Sequence, residues 1–205
     1  MSVTLAIVIL TVLVSWVAFE RPQLLSQLAH YPYVEYRQKE YHRFLTSALV
    51  HGSWGHLLIN MFVLYQFGEV VEHYFAMVFG ELKGRAFFLL LYVATTVFAD
   101  IPTFVKYKDK PHFRSVGASG AVSGILFAFV IFNPWSTLLL FFILPMPAIL
   151  AAVGYLVYSS WASKQGRDMI DHDAHFYGAV FGFFFTIALK PDLFFYFVQQ
   201  LKAGW

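Results

Sequence analysis

The chain has no cysteine and few charged residues. Of its 205 residues, 13% are charged and 59% are hydrophobic. The absence of cysteine excludes disulfide and thiolate chemistry. The net charge of +2 is spread over the loops and offers no basic stripe of the kind that binds nucleic acid. This balance lies far outside that of a soluble domain and indicates a polytopic membrane protein.

Long gaps between charged residues predict the membrane-spanning segments. About 20 helical residues cross a hydrocarbon core of roughly 30 Å, and the gaps allow six crossings. The uncharged run between Arg114 and Lys164 is too long for one crossing, so we divide it at Pro134, which cannot continue a helix. The predicted spans are 3–19, 53–72, 86–105, 117–133, 136–158 and 174–190.

Helices are the expected spanning elements. The apolar runs show no alternation of period two, and every backbone amide in lipid must be paired within its own segment. We therefore predict an all-α bundle of six transmembrane helices that forms a single domain over residues 1–205. The run 3–19 lacks a preceding basic residue and a following cleavage site, so we expect it to be retained. The aromatic tail after Leu193 is expected at the membrane interface.

Three polar clusters lie at the starts of predicted spans two, four and six. They are His56 with Asn60, Ser119, and His175. Successive spans cross in opposite directions, so these three starts share one face of the membrane and a similar depth. Small residues on spans four and six would let the two helices touch. These are Gly120, Gly124, Ala174, Gly178 and Gly182. Ser119 and His175 would then lie within hydrogen-bond reach, as a nucleophile and its base require.

Hydrogen-bond donors beside this serine favour hydrolysis. His56 and Asn60 are four residues apart, so they project from the same side of a helix. Both can donate to a developing negative charge, an effect worth about 3 kcal/mol per donor in oxyanion holes. The first backbone amides of span four are unpaired within the helix and lie at its positive end, next to Ser119.

At these residues the chain resembles the rhomboid family of intramembrane serine proteases. The motifs follow one another in the family's order, in the six-span frame of its basic prokaryotic form. They are Arg43-Phe44-Leu45-Thr46, His51, His56-Leu57-Leu58-Ile59-Asn60, Glu72, Gly117-Ala118-Ser119-Gly120, and Ala174-His175 with Gly178 and Gly182.

The resemblance implies a serine endopeptidase with a Ser-His dyad and no carboxylate third member. Ser119 would be the nucleophile, and His175 would be the general base and then the acid. The implied oxyanion donors are His56, Asn60 and the backbone amides of Ala118 and Ser119. Residues implied to support the site are Gly117, Gly120, Ser123 and His51. Residues implied to be structural are Arg43, Glu72, Gly178 and Gly182. No cofactor and no metal is expected.

The resemblance also implies partners and a location. Family substrates are transmembrane helices cleaved within the lipid bilayer. Residues 20–43 correspond to the family's membrane-embedded first loop. Span five, together with the loop 163–173, corresponds to the family's proposed substrate gate and cap. We expect a prokaryotic plasma membrane, with the site toward the extracytoplasmic side. The positive-inside rule favours the opposite orientation, since ten of the 14 Lys and Arg residues lie in loops on the Ser119 side; here we follow the family.

Two positions depart from the family pattern. His42 stands where a Trp often precedes the arginine. Ser123 lies one helical turn after Ser119, where a Tyr commonly stacks on the catalytic histidine. What orients His175 is therefore an open question.

Two other functions stay open. One is a catalytically inactive rhomboid-like protein that binds membrane helices. The other is a histidine-lined metal carrier, whose candidate ligands would be the pair His51/His56 and the group His172/Asp173/His175. An aspartyl protease would need two embedded aspartates, and only Asp100, expected at the interface, qualifies. The zinc motif His-Glu-x-x-His is absent.

Overall fold

A computed structural model describes residues 1–140, 143–165 and 170–204. Within these ranges the chain is mostly helical. The helices are α1 (Val3–Glu20), α2 (Pro22–Leu28), α3 (Pro32–Gln38), α4 (Arg43–Thr46), α5 (Trp54–Phe79), α6 (Glu81–Tyr107), α7 (Ser119–Phe132), α8 (Ala148–Gln165), α9 (His172–Leu189) and α10 (Asp192–Ala203). A 3-10 turn, Ser47–Leu49, follows α4.

Among the described residues, two helices are long and apolar enough to cross a membrane by themselves. They are α1, with 18 residues, and α6, with 27. A third crossing is possible if α9 and α10, which meet at an angle of 114°, form one bent span. The shorter apolar helix α7 has 14 residues. These helices fit a helical membrane bundle, and the number of six crossings stays a prediction.

The predicted helix over 136–158 was wrong in its first half. Strands β1 (Thr137–Leu140) and β2 (Leu144–Pro147) form an antiparallel hairpin in which Thr137 pairs with Pro147, and α8 begins only at Ala148. Pro145 and Pro147 give the reason, because proline lacks the amide donor and disfavours helix in the preceding residue. The bundle is therefore helical with one small hairpin, and not all-α.

Helix α7 lies at the centre of the bundle and is buried along nearly its whole length. It contacts α9 backbone to backbone, since a Cβ on Gly182 would lie 2.3 Å from the Cα of Gly124. On its other side, a Cβ on Gly124 would lie 2.5 Å from the Thr95 methyl group of α6. The small residues predicted to join spans four and six do so, and they bring the first turns of α7 and α9 together.

The N-terminus of α1 is held by a carboxylate of α5. Glu72 accepts hydrogen bonds from the amides of Val3 and Thr4 at 2.8 Å each, and from the Thr4 hydroxyl at 2.9 Å. These amides belong to the first turn of a helix, where no intrahelical partner exists. The almost fully buried Glu72 therefore ties α1 to α5.

The segment between α1 and α5 packs against α6 and pairs with the loop before α7. The Arg43 guanidinium donates to the carbonyl oxygens of Ser26 at 2.7 Å and Ala29 at 3.0 Å, and it pairs with Glu40 at 2.7 Å. Phe44 packs against Phe104 of α6, with ring centroids 5.4 Å apart. These contacts hold the segment together and fix it against α6.

The C-terminal tail forms α10, which turns back onto the bundle after Pro191. Leu193 and Phe197 are its buried residues, and Phe197 contacts the ring of Phe183 in α9. The indole of Trp135 donates to the carbonyl of Gln200 at 3.0 Å. The predicted interfacial tail is thus an amphipathic helix, and Trp205 lies outside the described residues.

Candidate active site

Ser119 and His175 are hydrogen-bonded to each other. Ser119 is the first residue of α7 and His175 lies in the first turn of α9. The Nε2 atom of His175 lies 2.7 Å from Oγ of Ser119. This is a short bond for a hydroxyl and an imidazole, and it is the geometry that proton transfer between a nucleophile and a general base requires.

The pair faces a cavity of about 850 Å³. Residues from α2, α5, α7, α8 and α9 line it, including His56, Asn60, Ser119, Ser123, Tyr155 and His175. Most of the other lining side chains are apolar, for example Val122 and Leu126. The cavity therefore combines a few convergent polar groups with an apolar wall, which is the usual character of a binding site.

Gly117 gives the chain its close turn into α7. Its φ of +116° lies in the region that favours glycine, and its amide donates to the Ser47 carbonyl at 3.0 Å. A Cβ at this position would lie 2.6 Å from the His56 ring. Glycine thus lets the imidazole of His56 pack against the backbone two residues before Ser119.

Asn60 lies one turn after His56 on α5 and is nearly buried. Its Nδ2 donates to the His56 carbonyl at 3.0 Å. A primary amide carries a second N–H, and Asn60 lines the same cavity as Ser119. The structure therefore brings both predicted side-chain donors to the cavity that holds the dyad.

His51 holds the backbone just before the serine. The Ala118 amide donates to its Nε2 at 3.4 Å, so the proton of the neutral ring is on Nδ1, which donates to Ser15 Oγ at 3.0 Å. The Ser15 hydroxyl in turn donates to the Leu49 carbonyl at 3.0 Å. Burial and the neighbouring His56 lower the pKa of His51 to about 3, which keeps this acceptor neutral.

This bond changes the predicted set of oxyanion donors. The Ala118 amide was expected to face the oxyanion, but here it is directed at His51. The amide of Ser119 is the first of α7 and has no partner within the helix. The candidate oxyanion donors are therefore His56, Asn60 and the Ser119 amide.

Ser123 connects the serine to α8. Its hydroxyl donates to the Ser119 carbonyl at 2.7 Å, and its Oγ lies 2.6 Å from the hydroxyl of Tyr155. The Tyr155 ring stacks on the His175 imidazole, with centroids 6.1 Å apart and an interplanar angle of 22°. An aromatic ring therefore does lie against His175, although position 123 is a serine.

The first turn of α9 is fixed by two aspartates. Asp171 accepts from the Ala174 amide at 2.9 Å and from the Thr103 hydroxyl of α6 at 2.8 Å. Asp173 pairs with Lys106 of α6 at 2.6 Å and accepts a hydrogen bond from Ser163. His175 is therefore carried on a turn anchored to α6. The predicted cap over 163–173 includes residues 166–169, among them Arg167, which lie outside the described residues.

A buried acidic cluster surrounds His30 in the segment between α2 and α3. Its Nδ1 lies 2.8 Å from Glu35 and 3.9 Å from Asp100 of α6. Burial alone would lower its pKa, but the charges of Asp100 and Glu35 and the hydrogen bond to Glu35 outweigh burial and raise it. The His30 backbone pairs with Ser115 through two bonds of 3.0 Å. Asp100, expected at the interface, thus belongs to a buried network that reaches the loop before Ser119.

Sequence reasoning missed Tyr155 and the His30 cluster. A signal for Tyr155 was present, because it interrupts a stripe of small residues on α8. The stripe consists of Ala148, Ala152, Ser159 and Ala162. No comparable signal marked His30, because its second acidic partner, Asp100, comes from the distant helix α6.

Among residues 1–140, 143–165 and 170–204, no three His, Asp or Glu side chains are grouped so that they could hold a metal ion. His51 and His56 have their rings in edge contact, with centroids 5.0 Å apart, and His51 is engaged at both nitrogens. His172 contacts His175 with centroids 5.8 Å apart. The histidine-lined metal carrier therefore gains no support from this geometry.

Comparison with known proteins identifies the family. The model of the Rhomboid domain matches residues 38–191, which is most of the chain. This match includes Ser119, His175, His56 and Asn60. The chain therefore belongs to the rhomboid family, and it is an integral membrane protein.

Three relatives illustrate the range of the family around this chain. It is 33% identical over 147 residues to "RHOMBOID-like protein 12, mitochondrial" of Arabidopsis thaliana, covering 67% of this chain and 43% of the relative. It is 31% identical over 148 residues to "Presenilin-associated rhomboid-like protein, mitochondrial" of Bos taurus, covering 69% and 36%. It is 31% identical over 86 residues to "Putative rhomboid protease YdcA" of Bacillus subtilis (strain 168), covering 42% and 38%.

The chain thus spans less than half the length of these three relatives. Two of their names refer to mitochondria and one protein is bacterial. The comparisons therefore do not support the expected prokaryotic plasma membrane over an organellar membrane.

Proposed function

We propose that this chain is an intramembrane serine endopeptidase that hydrolyses peptide bonds of transmembrane-helix substrates. The observation that carries this proposal is the 2.7 Å hydrogen bond between Ser119 Oγ and His175 Nε2 at an apolar cavity within the helical bundle. Rhomboid-family membership supports the reaction class, since "rhomboid protease" appears in the name of one relative.

In the proposed acylation step, Ser119 Oγ attacks the carbonyl carbon of the scissile bond. His175 Nε2 accepts the hydroxyl proton as the new C–O bond forms, and the carbonyl oxygen becomes an oxyanion. The resulting imidazolium then donates that proton to the leaving nitrogen, and the C–N bond breaks. The products are an amine and an acyl ester on Ser119.

The oxyanion would be stabilised by His56, Asn60 and the Ser119 amide. Asn60 can offer its second N–H while the first remains on the His56 carbonyl. The positive end of α7 adds a favourable field at the same place. Each donor of this kind is typically worth about 3 kcal/mol in the transition state.

In the proposed second step, water attacks the acyl ester. His175 takes a proton from the water and returns it to Ser119 Oγ as the ester bond breaks, which releases the acid and restores the dyad. These steps need only the side chains described, water and the substrate. We therefore expect activity without a cofactor or a metal.

The substrate class and the orientation are part of the proposal. The site lies at the N-terminal ends of α7 and α9, and we propose that this end faces the extracytoplasmic side, as the family resemblance implies. Several of the basic residues on this side have acidic partners, such as Lys106 with Asp173 and Arg43 with Glu40. These basic residues therefore have structural roles inside the protein that are separate from its orientation in the membrane.

A serine-directed fluorophosphonate tests the dyad directly. We expect the purified protein in detergent to label at Ser119, the label to vanish in Ser119→Ala, and the labelling rate to fall by about 10³-fold or more in His175→Ala, as for other serine nucleophiles that lose their base. Ser160→Ala is the matched control, because Ser160 lies on α8 at a separate surface and should leave labelling unchanged.

The second measurement is cleavage of a model single-span substrate, with and without EDTA. We expect cleavage that depends on Ser119 and is insensitive to the chelator. A wild-type protein that binds the substrate but neither labels nor cleaves would instead be an inactive helix-binding protein. Loss of cleavage in the presence of EDTA would indicate a metal-dependent activity instead.

A further inference from the structure

Tyr155 of α8 is an aromatic neighbour of His175, whereas the proposed nucleophile Ser119 lies on α7. Its ring lies against the imidazole at 6.1 Å between centroids, with the two planes within 22°. Offset stacking of this kind favours one ring orientation over others and is worth up to about tenfold in an equilibrium. The face of His175 is thus occupied by a residue of α8.

A hydrogen-bonded relay fixes the Tyr155 ring relative to Ser119. The Ser123 hydroxyl has one proton, which it donates to the Ser119 carbonyl at 2.7 Å. The short contact of 2.6 Å between Ser123 and Tyr155 must then use the phenolic proton as the donor. Tyr155 is therefore bonded to the turn that carries the nucleophile and stacked on the base.

The fully buried face of helix α8 consists of small side chains, with the partly buried Ile149 and Leu156 beside it. Its buried residues are Ala148, Ala152, Ser159 and Ala162, and the opposite face exposes Val153, Val157 and Trp161. Tyr155 is the large side chain on the inner stripe. Displacement of α8 from α7 and α9 would therefore remove the ring from His175 at the same time.

We propose that Tyr155 is a positioning residue for His175, and that the docking of α8 is consequently part of the active geometry of the dyad. This inference rests on the proposed function and deepens it. A misplacement of about 1 Å in a catalytic group can cost about 100-fold in rate. The position of α8 can therefore set the activity of a dyad to which it contributes no reacting atom.

The first test compares substitutions at position 155 by fluorophosphonate kinetics. We expect Tyr155→Ala to lower the maximal labelling rate by about 10- to 100-fold, with little change in the probe concentration that gives half of it. Tyr155→Phe keeps the stacked ring and loses the phenolic hydroxyl that contacts Ser123, so it should retain most of the rate. Trp161→Leu is the matched control, because Trp161 is an aromatic residue of the same helix with 55% exposure.

The second test moves the ring to α7. In the Tyr155→Ala background, Ser123→Tyr places an aromatic ring one turn after Ser119, and we expect it to restore at least part of the rate. Ser123→Leu fills comparable space without an aromatic face and should not restore it. Equal recovery with both substitutions would mean that Tyr155 only fills volume, and would overturn the positioning role.

The third test concerns α8. Ala152 is 3% exposed on the inner stripe, so Ala152→Leu should push α8 outward. In the wild-type background, we expect Ala152→Leu to lower the labelling rate strongly. In the Tyr155→Ala/Ser123→Tyr background the loss should be much smaller, because the ring beside His175 then comes from α7 and no longer depends on α8. Equal losses in the two backgrounds would contradict the dependence on α8 docking.

One measurement separates this inference from the proposed function. In nuclear magnetic resonance spectra of the protein in micelles, the imidazole protons of His175, assigned through His175→Gln, should carry a ring-current displacement that Tyr155→Leu removes. This signal requires no activity. Its presence in a protein that fails to label would refute the protease and leave the contact standing. Ser119-dependent labelling that is equally fast in wild type and Tyr155→Ala would refute the positioning role and leave the protease standing.

Discussion

The α-carbon of Gly178 lies against the carbonyl of Gly120, so that a Cβ on Gly178 would be 2.2 Å from that oxygen. Gly120 directly follows Ser119, and Gly178 lies about one turn after His175. This contact brings α7 and α9 closer than any side chain would allow, and it therefore determines whether a serine on one helix can reach a histidine on the other. The distance between the Ser119 and His175 side chains therefore depends on the absence of a Cβ at Gly178.

Gly178→Ala should separate the dyad. The methyl group cannot avoid the backbone of α7, so the helices must move apart, and we expect a destabilisation of about 1–3 kcal/mol from overpacking together with a loss of labelling of about 100-fold. Gly154→Ala is the control in α8, where a Cβ would meet nothing within 4 Å. It should keep full activity and gain slightly in stability, because alanine is the better helix former. Labelling and thermal unfolding in detergent measure both variants.

Removal of the side-chain oxyanion donors should lower the rate without changing binding. We expect His56→Ala and Asn60→Ala each to reduce substrate turnover by about 10²- to 10³-fold, with KM little affected. His73→Ala, on the exposed surface near the other end of α5, is the control for loss of a histidine from the same helix. A large rise in KM at unchanged kcat would instead assign these residues to substrate binding.

Glu72→Ala should weaken the attachment of α1. The substitution leaves two buried amides and the Thr4 hydroxyl without their acceptor, and an unpaired buried polar group costs about 1–3 kcal/mol. We expect the thermal midpoint in detergent to fall by about 5 °C or more. The control is Glu81→Ala, since Glu81 is 70% exposed and pairs with the partly exposed Arg85. A similar midpoint in both variants would contradict the capping role.

His51 should make stability depend on pH below neutrality. Its pKa is about 3 in the folded protein because of burial and His56, against about 6.5 in an unfolded chain. Between these values only the unfolded state takes up the proton, so the stability advantage of wild type over His51→Gln is complete above about pH 6.5 and declines as the pH falls toward 3. Unfolding midpoints of both proteins over this range test the sign.

His30 should give the opposite slope. Burial lowers the pKa of this imidazole, but the charges of Asp100, Glu35 and Asp171 and the hydrogen bond to Glu35 outweigh burial and raise the pKa above the usual value. The folded state therefore holds the proton more tightly than the unfolded state, and the contribution of His30 is complete below about pH 6.5 and is lost as the pH rises through the raised pKa. The difference in unfolding midpoint between wild type and His30→Gln should thus shrink on going to alkaline pH, and a difference that grows would contradict the buried network.

The positions of most helices could be predicted from local features of the sequence. The predicted bounds agree with α1 and α9 within two residues, whereas α5 continues to Phe79 beyond the predicted end at 72 and α6 begins at Glu81 instead of 86. The small residues at 120, 124, 178 and 182 correctly indicated that α7 and α9 touch. The prediction failed at 136–147, because hydropathy cannot distinguish an apolar hairpin from an apolar helix. Pro145 and Pro147 were the signal that should have shortened the fifth segment.

The polar partners inside the bundle could be predicted only in part. Counting crossings brought Ser119, His175, His56 and Asn60 to one end of the bundle, because alternation of direction is a property of the chain order. It could not show that the Ala118 amide donates to His51, or that Asp100 joins His30 and Glu35. These bonds join segments far apart in the sequence, and their geometry depends on how far each helix is rotated and shifted along its axis.

By itself, the sequence determined that the chain enters a membrane, that α7 and α9 must pack through glycine, and that a serine and a histidine begin those two helices. These properties follow from hydrophobicity, side-chain volume and residue order, which are local. Only the tertiary structure decided which aromatic ring lies on His175. Position 123, one turn after Ser119, carries a serine and no aromatic ring. Tyr155 of α8 reaches the imidazole instead, because α8 packs on the bundle through its own stripe of small residues. That contact depends on packing between helices.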